Sequence, residues 1–415
     1  MRILLWHGYL LRDSGSNIYT ANVARHLRRL GHDVLLLCQE RRLEGLDFID
    51  DEGELRADSY PFEREPGEAA RCRLARPWIG DLLPVYVFDE YEGFLAKTFT
   101  ELDDFELERY TELNVEALTT ALKAHRPEAV IVGHEVMGPF IASKARAATG
   151  RRYVVKLHGS ALEYAVKRQR RYREFAHVGL GAAHRVVGGS KYMIRAAAEL
   201  ISGWESRGVV VNPGCDTDLF VPAERSRETR PTIGFVGKLI EAKGVHNLLR
   251  ALPTLRMKQL SVVIVGGGSD ASWFRRLWSE LASESSEISV EFTGALGHAP
   301  LSRLLATFDV LVAPSVVPEA FGMVVAEAAA CGVLPIVPDH SGIAEAGAQV
   351  EQAIGRPGWL TFDSREPVEG IASAIDRVLA EPLGVRAGLE KRAVDFARAE
   401  WSWEAVAGKL LDVAT

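Results

Sequence analysis

The stretch Pro318-Glu319-Ala320-Phe321-Gly322-Met323-Val324-Val325-Ala326-Glu327 decides how the second half of this chain is read. It follows Val310 to Ala313, an apolar run that reads as a buried strand, and leads into Val324 to Cys331, which reads as a helix. Glu319 therefore falls on the loop above a strand end, and Glu327 falls on the helix after it. The backbone N–H groups of Phe321, Gly322, Met323 and Val324 are left free at that helix start, where N–H groups and helix dipole together favour a phosphate. A loop carboxylate beside a phosphate suits hydroxyl recognition on a phosphate-linked sugar. A carboxylate further along the helix suits a second set of hydroxyls, such as a ribose. The plainer alternative is a loop glutamate and a solvated helical glutamate, spaced by coincidence.

Working outward, both halves alternate short apolar runs with helical patterns, the signature of parallel sheets covered by helices, so the fold class is α/β. Strands are predicted in the first half at 2–6, 33–38, 129–132, 153–157, 185–187 and 209–212. In the second half they fall at 232–236, 261–265, 289–292, 310–313 and 334–337. Helices are predicted at 17–30, 105–124, 140–149 and 192–200, then at 245–255, 271–283, 300–306 and 322–331. The polar stretch from Phe220 to Arg230 follows a Pro-Gly turn and precedes a new strand, so it is taken as the boundary. Two Rossmann-like units place ligand sites at strand carboxyl ends facing a shared cleft. The segment Arg41 to Asp104 reads as long and irregular, with Trp78, Tyr86, Phe88, Tyr91, Phe94 and Phe99. Most such aromatics belong to a core, but long loops in compact domains are often functional, and acceptor specificity is assigned here.

The chain has 415 residues, 47% hydrophobic and 25% charged, as expected of a packed protein with two domains. A formal net charge of -7 argues against a nucleic-acid partner, which requires a dominant basic face. Cys38, Cys72, Cys215 and Cys331 show no metal-ligand spacing and read as buried thiols of a reducing cytosol. No targeting segment and no apolar run approaching the roughly 20 residues of a membrane helix is visible. A cytoplasmic protein is expected, with attachment at the inner membrane face left open.

Other motifs carry chemistry. Arg12-Asp13-Ser14-Gly15-Ser16-Asn17 precedes an amphipathic helix, and a glycine at a helix start lets N–H groups approach an anion. An ordinary strand–helix turn is the equal alternative, and the spacing is not that of a dinucleotide fingerprint. In Gly234-Phe235-Val236-Gly237-Lys238-Leu239-Ile240-Glu241-Ala242-Lys243-Gly244, a strand ends at Gly237 and Lys238 and Lys243 follow. Paired cations near a diphosphate stabilise the charge that develops as it departs. In Leu157-His158-Gly159-Ser160 the histidine ends a strand. The run Val265-Gly266-Gly267-Gly268 is either room for a base or a plain turn. Five cations lie within Lys167 to Arg173; a solvated helix face competes with an anionic acceptor site or a peripheral contact with an anionic membrane.

Glu319, the Phe-Gly pair and Glu327 resemble the paired-glutamate motif of glycosyltransferase family 4, retaining sugar transferases of the GT-B fold. The resemblance spans nearly the whole chain and is most specific in the second half. It implies that Gly15 and Ser16 lie beside the donor phosphates, that His158 lies near the transferred sugar, and that the backbone near Leu296 meets the nucleobase. Lys243 matches the family's second cation; Lys238 stands where an arginine is usual, losing the bidentate fork. Asn212-Pro213-Gly214-Cys215-Asp216 resembles the junction turn, and a last helix at 402–414 is expected to cross back to the first domain. The domains are then 1–220 for the acceptor and 221–400 for the nucleotide-sugar donor.

The implied activity is transfer of a sugar from a nucleotide diphosphate, expected to be UDP, to a hydroxyl-bearing acceptor, with retention. The acceptor is a saccharide, a lipid-linked group or a small metabolite. Neither metal nor cofactor is expected, because Lys238, Lys243 and the helix start can offset the phosphate charge. A nucleotide-sugar epimerase and a non-catalytic sugar-nucleotide sensor are the rivals; a phosphorylase would need a pyridoxal-phosphate lysine motif that is not recognisable.

Overall fold

The computed structural model describes residues 1–12, 14–63, 70–87, 91, 93–224, 230–282 and 287–415. Asp13, Phe88, the middle of the expected linker and the end of the helix expected at 271–283 lie outside these residues. The chain divides by contacts into Met1–Asn212 with Val406–Thr415, and Pro213–Ala405.

The strands of the first unit are β1 (Arg2–Trp6), β2 (Asp33–Leu37), β3 (Asp51–Leu55), β4 (Arg71–Pro77), β5 (Leu82–Val85), β6 (Leu95–Thr98), β7 (Ala129–Gly133), β8 (Val154–Lys156), β9 (Arg185–Gly188) and β10 (Gly208–Val210). Eight of them form one sheet in the order β10-β9-β8-β7-β1-β2-β4-β3, and β5 pairs with β6 separately. Every pairing is parallel. The second unit holds β11 (Thr232–Val236), β12 (Leu260–Val265), β13 (Ile288–Gly294), β14 (Val310–Val312), β15 (Leu334–Pro338) and β16 (Thr361–Phe362). Its sheet runs β13-β12-β11-β14-β15-β16, again all parallel. The central strands are near-continuous apolar runs because both faces of a parallel sheet are covered. This is the GT-B architecture, two parallel α/β units.

Corrections to the sequence reading have local causes. The segment 41–104 is not an irregular loop, since β3 and β4 extend the first sheet and β5 and β6 form their own pair. β4 carries Arg71, Arg73 and Arg76; Arg73 pairs with Asp33 at 2.9 Å and Arg76 with Glu52 at 2.5 Å. Tyr86 and Phe99 are core residues. The basic run at 167–173 leads into the helix Arg170–Ala182, in line with the helix-face alternative, while the helices Ser341–Ile354, Pro367–Leu379 and Leu383–Trp401 were not expected.

The unit boundary falls at Asn212 and Pro213, not near residue 220. The turn after it packs with the second unit: Cys215 N donates to Trp401 O at 2.8 Å, and Cys215 and Phe220 belong to that unit's core. The helix Trp403–Ala414 carries the chain back, and its residues from Val406 pack with the first unit. No helix among the described residues is long and apolar enough to cross a membrane.

Candidate functional site

The second unit builds its candidate site at the carboxyl ends of β11 and β14. The loop after β14 turns through Gly322, whose φ of 87° is the left-handed conformation that suits glycine. The helix Met323–Ala330 starts there, and its first-turn N–H groups have no full set of carbonyl partners within the helix. Phe321 contributes only backbone: its ring is buried in the core, edge-on to Trp401 at 5.4 Å. Val324 is partly buried against the same core. Phe321 is thus an anchor that fixes where the helix begins.

Glu319 sits at the centre of a network. Its Oε1 accepts from Lys243 Nζ at 2.8 Å and from the Ser315 hydroxyl. Its backbone N donates to Ser341 Oγ at 3.0 Å, and its carbonyl accepts from Gly342 N at 2.8 Å. The structure brings Lys243 and Glu319 together, so the two proposed roles, cation for phosphate and acceptor for sugar hydroxyls, meet at one point. An ammonium group has three donors, so this pair leaves Lys243 capacity for further acceptors. Lys238 lies exposed on the loop after β11.

Glu327 is buried on the helix, and burial raises its carboxyl to about 7. Leu296 follows β13 and packs against the core with its side chain, which leaves its backbone for recognition. Gly266 and Gly268 serve packing: a Cβ on them would stand 1.8 Å from Gly237 O and 2.4 Å from Leu239 O. At these two positions backbone, not a base, takes up the space of the missing side chain, while a Cβ on Gly267 would meet only Ala295 at 3.7 Å. Among the described residues no group of three or more His, Cys, Asp or Glu side chains is placed to hold a metal ion.

The first unit builds a different site at the ends of β1, β7 and β8. The helix Gly15–Arg29 begins earlier than expected, with Ser14 as its cap and Gly15 and Ser16 already in its first turn. A Cβ on Gly15 would meet nothing within 4 Å, so its lack of a side chain leaves open space in front of the helix start. His7 fixes this loop. Its Nε2 lies 2.7 Å from Asn17 Oδ1 and its Nδ1 lies 3.2 Å from Thr20 Oγ1, while Asn17 Nδ2 donates to Arg12 O at 2.5 Å.

His158 lies just beyond β8, within a cluster the sequence reading missed. Its ring centroid is 4.8 Å from that of His134 and 6.2 Å from that of His7, and Tyr19 lies 5.4 Å away. His134 is buried with φ of 72°, and neither ring nitrogen has a hydrogen-bond partner among the described residues. Glu135 is fully buried and its Oε1 accepts from His158 N at 2.9 Å and Gly159 N at 2.6 Å, so it positions the His158 loop. Burial, reinforced by His134, Lys156 and His7, pushes His158 well below 6.5. At neutral pH it is a neutral imidazole, a donor and acceptor but not a cation.

Lys156, on β8, donates to Val211 O at 3.2 Å, and burial brings it down to about 7. A small cavity of about 20 Å³ lies between Lys156, His158, Tyr19, Thr20, Gly133 and Leu410. One sequence signal could have found this group: Gly133-His134-Glu135 ends an apolar strand just as Leu157-His158 does, and Lys156 is the lone cation in Val154-Val155-Lys156-Leu157.

The basic run is mostly used internally. Arg171 bonds Asp104 at 3.0 Å and the carbonyl of Leu102 at 2.7 Å, Lys167 pairs with Glu163 at 2.5 Å, and Arg170 pairs with Glu174 at 2.8 Å.

Comparison with known proteins follows this division. The family model described as "Glycosyl transferase 4-like domain" matches residues 14–214, and the one described as "Glycosyl transferases group 1" matches residues 216–398. The chain belongs to the family-4-type GT-B glycosyltransferases. Among curated relatives of this glycosyltransferase, a GDP-mannose-dependent alpha-(1-6)-phosphatidylinositol monomannoside mannosyltransferase of Mycobacterium tuberculosis is 30% identical over 218 residues, covering 48% of this chain and 54% of that protein. A D-inositol 3-phosphate glycosyltransferase of Corynebacterium jeikeium is 33% identical over 232 residues, covering 51% and 53%. The chain thus spans about half the length of the curated relatives it matches. Among solved structures, sucrose-phosphate synthase from Thermosynechococcus elongatus superposes with a TM-score of 0.67 at 20% identity, covering 99% of this chain and 98% of that one. Anabaena HepE in complex with UDP gives 0.66 at 16% identity, with 99% of each chain covered. These two likenesses speak to the fold alone.

Proposed function

We propose that this protein transfers a sugar from a nucleotide diphosphate to a hydroxyl-bearing acceptor, with retention at the anomeric carbon and without a metal ion. The observation that carries the reading is the Lys243–Glu319 pair at 2.8 Å, four residues ahead of the helix Met323–Ala330 that also bears Glu327. A cation and free N–H groups offset the charge that grows on a departing diphosphate. Glu319 accepts hydroxyls of the donor sugar, and Glu327 accepts those of the ribose. Lys238 adds a second positive charge on the loop after β11.

Retention is proposed to follow a same-face course, in which a departing phosphate oxygen takes the acceptor proton. Neutral His158 then orients a sugar hydroxyl and does not supply a proton as an imidazolium. The acceptor is proposed to be a saccharide, a lipid-linked group or a small metabolite. The nucleotide is proposed as UDP, with GDP the comparison that the mycobacterial relative's name suggests. Cytoplasmic action belongs to the same proposal.

The test is a thermal-shift panel of UDP- and GDP-sugars, then a mass-spectrometric acceptor screen with the best donor, and proton NMR of the product's anomeric centre. Product formed with EDTA present and with the donor's anomeric configuration is expected. Inversion, or activity lost to EDTA and restored by magnesium or manganese, overturns the mechanism. An epimer formed from donor alone, or donor binding without turnover on any acceptor, favours the epimerase or the sensor instead.

A further inference from the structure

In the first unit the carboxyl ends of β2 and β4, with β3 beside them, border a second cavity, of about 270 Å³. Gln39, Arg41, Glu52, Glu54, Arg76 and Trp78 carry its chemistry. Their polar groups are held in place. Arg76 Nη1 donates to Glu52 at 2.5 Å and to Glu40 O at 3.1 Å. The Arg41 guanidinium lies 3.9 Å over the Phe94 ring and donates to Gly93 O at 3.0 Å. Gln39 Nε2 donates to Pro77 O at 2.7 Å. Arg56 lies 4.6 Å over the half-buried Trp78 ring and pairs with Glu54 at 2.7 Å. Groups fixed before a ligand arrives lose little entropy when it binds.

The charges on this wall cancel, two arginines against two glutamates. A phosphate or carboxylate would meet as much repulsion as attraction there. A neutral polyol would find carboxylate acceptors, guanidinium and amide donors, and an aromatic surface, the mixture expected of a small-molecule site. The cavity is tied to the loop ahead of Gly15 by Glu40, which is 3% exposed. Glu40 Oε2 accepts from Leu11 N at 3.0 Å, and Oε1 accepts from Arg41 N and Arg42 N at 3.1 and 2.9 Å. With strands spaced about 4.8 Å, the cavity centre lies roughly 12 Å along the sheet from the end of β7 and roughly 17 Å from the end of β8. A disaccharide or trisaccharide covers that span, and a single hexose does not.

We propose that this cavity is an acceptor subsite for a neutral glycosyl unit, one or more sugars removed from the hydroxyl that receives the transferred residue. The inference rests on the glycosyltransferase reading, but its test does not need turnover. Saturation-transfer difference NMR on the full chain would use maltotriose, methyl α-D-mannopyranoside and myo-inositol 1-phosphate as probes, with wild type, Trp78→Ala and Glu54→Gln. Maltotriose should give signals in the wild type that fall on the order of fivefold or more in both variants, a loss of about 1 kcal/mol in binding. The inositol phosphate signals should not depend on either residue. Stabilisation by a nucleotide sugar should persist in both variants, since Trp78 and Glu54 lie outside the donor unit. The subsite is overturned if maltotriose gives no signal in the wild type, if its signals are unchanged in the variants, or if inositol phosphate is the probe that depends on them. Failure of every nucleotide sugar to stabilise the wild type would sink the proposed function separately, and the saccharide signals would still decide the cavity.

Discussion

At the end of β8, His158 stands among His134, His7 and Lys156, all of them held toward the neutral form by burial. At the end of β14, Lys243 and Glu319 form an ion pair at 2.8 Å, with side chains 30% and 19% exposed. The same parallel α/β plan has been turned to opposite electrostatic ends. In the proposed function, the neutral, aromatic-lined site recognises hydroxyls and the charged site at a helix start attracts phosphate. That proposed division of labour rests on how deeply each strand end buries its polar residues.

Acid is expected to separate the two most strongly. Burial brings His7 and His125 to about 4 and holds His134 well below 6.5. Such a histidine stays neutral in the fold but takes a proton when unfolded near 6.5. Stability is fully present above that value and falls by about 1.4 kcal/mol per pH unit below it for each group. From pH 6.5 to 5 all three act in the same direction and destabilise the first unit. Glu327 acts in the other sense: with its carboxyl raised to about 7, it stabilises the second unit most at low pH, and that contribution is lost as pH rises through 7. Hydrogen exchange at pH 7 and 5, corrected for intrinsic rates, should show β1 and β7 losing protection and β11 and β14 keeping theirs. Equal loss in both units would break the contrast.

Phe321→Ala should cost the second unit about 3–5 kcal/mol, because the ring that sets the helix start is a core residue against Trp401. A urea midpoint close to wild type would mean that the loop is held by Glu319 and Ser341 alone.

Lys243→Ala should lower turnover at saturating donor on the order of 10²-fold or more, with a smaller change in donor affinity, since its charge acts most on the departing diphosphate. Near-normal turnover would leave Lys243 as a partner for Glu319 and nothing more.

Nucleotide affinity should rise severalfold as pH passes through about 7, as Glu327 ionises and its hydrogen bonds to the ribose become charge-assisted. Glu327→Gln should flatten that profile in a calorimetric titration. A variant with the same pH profile as wild type would remove the ribose from Glu327. At the small end, Lys167→Ala and Arg170→Ala should shift stability by less than about 0.5 kcal/mol, because each cation is one half of an exposed pair.

The second unit was the more legible in sequence, for a physical reason. β11, β12, β14 and β15 are buried on both faces and read as apolar runs, and Glu319 and Glu327 are ordered along one loop and helix. What sequence spacing left out was that Lys243, 76 positions earlier, reaches Glu319. In the first unit β4 stayed hidden because Arg73 and Arg76 are offset by Asp33 and Glu52 from neighbouring strands, which its own sequence does not show. The histidine cluster stayed hidden because His7, His134 and His158 come from three separate strand ends, which only the strand order brings together. A strand-end histidine in isolation carries little signal, and three of them adjacent in space carry a good deal.

Because Val406–Thr415 packs with the first unit, the second unit is an insertion within it. Synthesis therefore runs out of step with folding: Pro213–Ala405 has all its residues while the first unit still waits for its final segment. Leu410, from that segment, walls the small cavity beside Lys156 and His158. On the ribosome the second unit can finish first, and the wall of the histidine site is complete only when the last helix has emerged. A nascent chain halted short of Leu410 would carry a complete second unit and an unfinished first one.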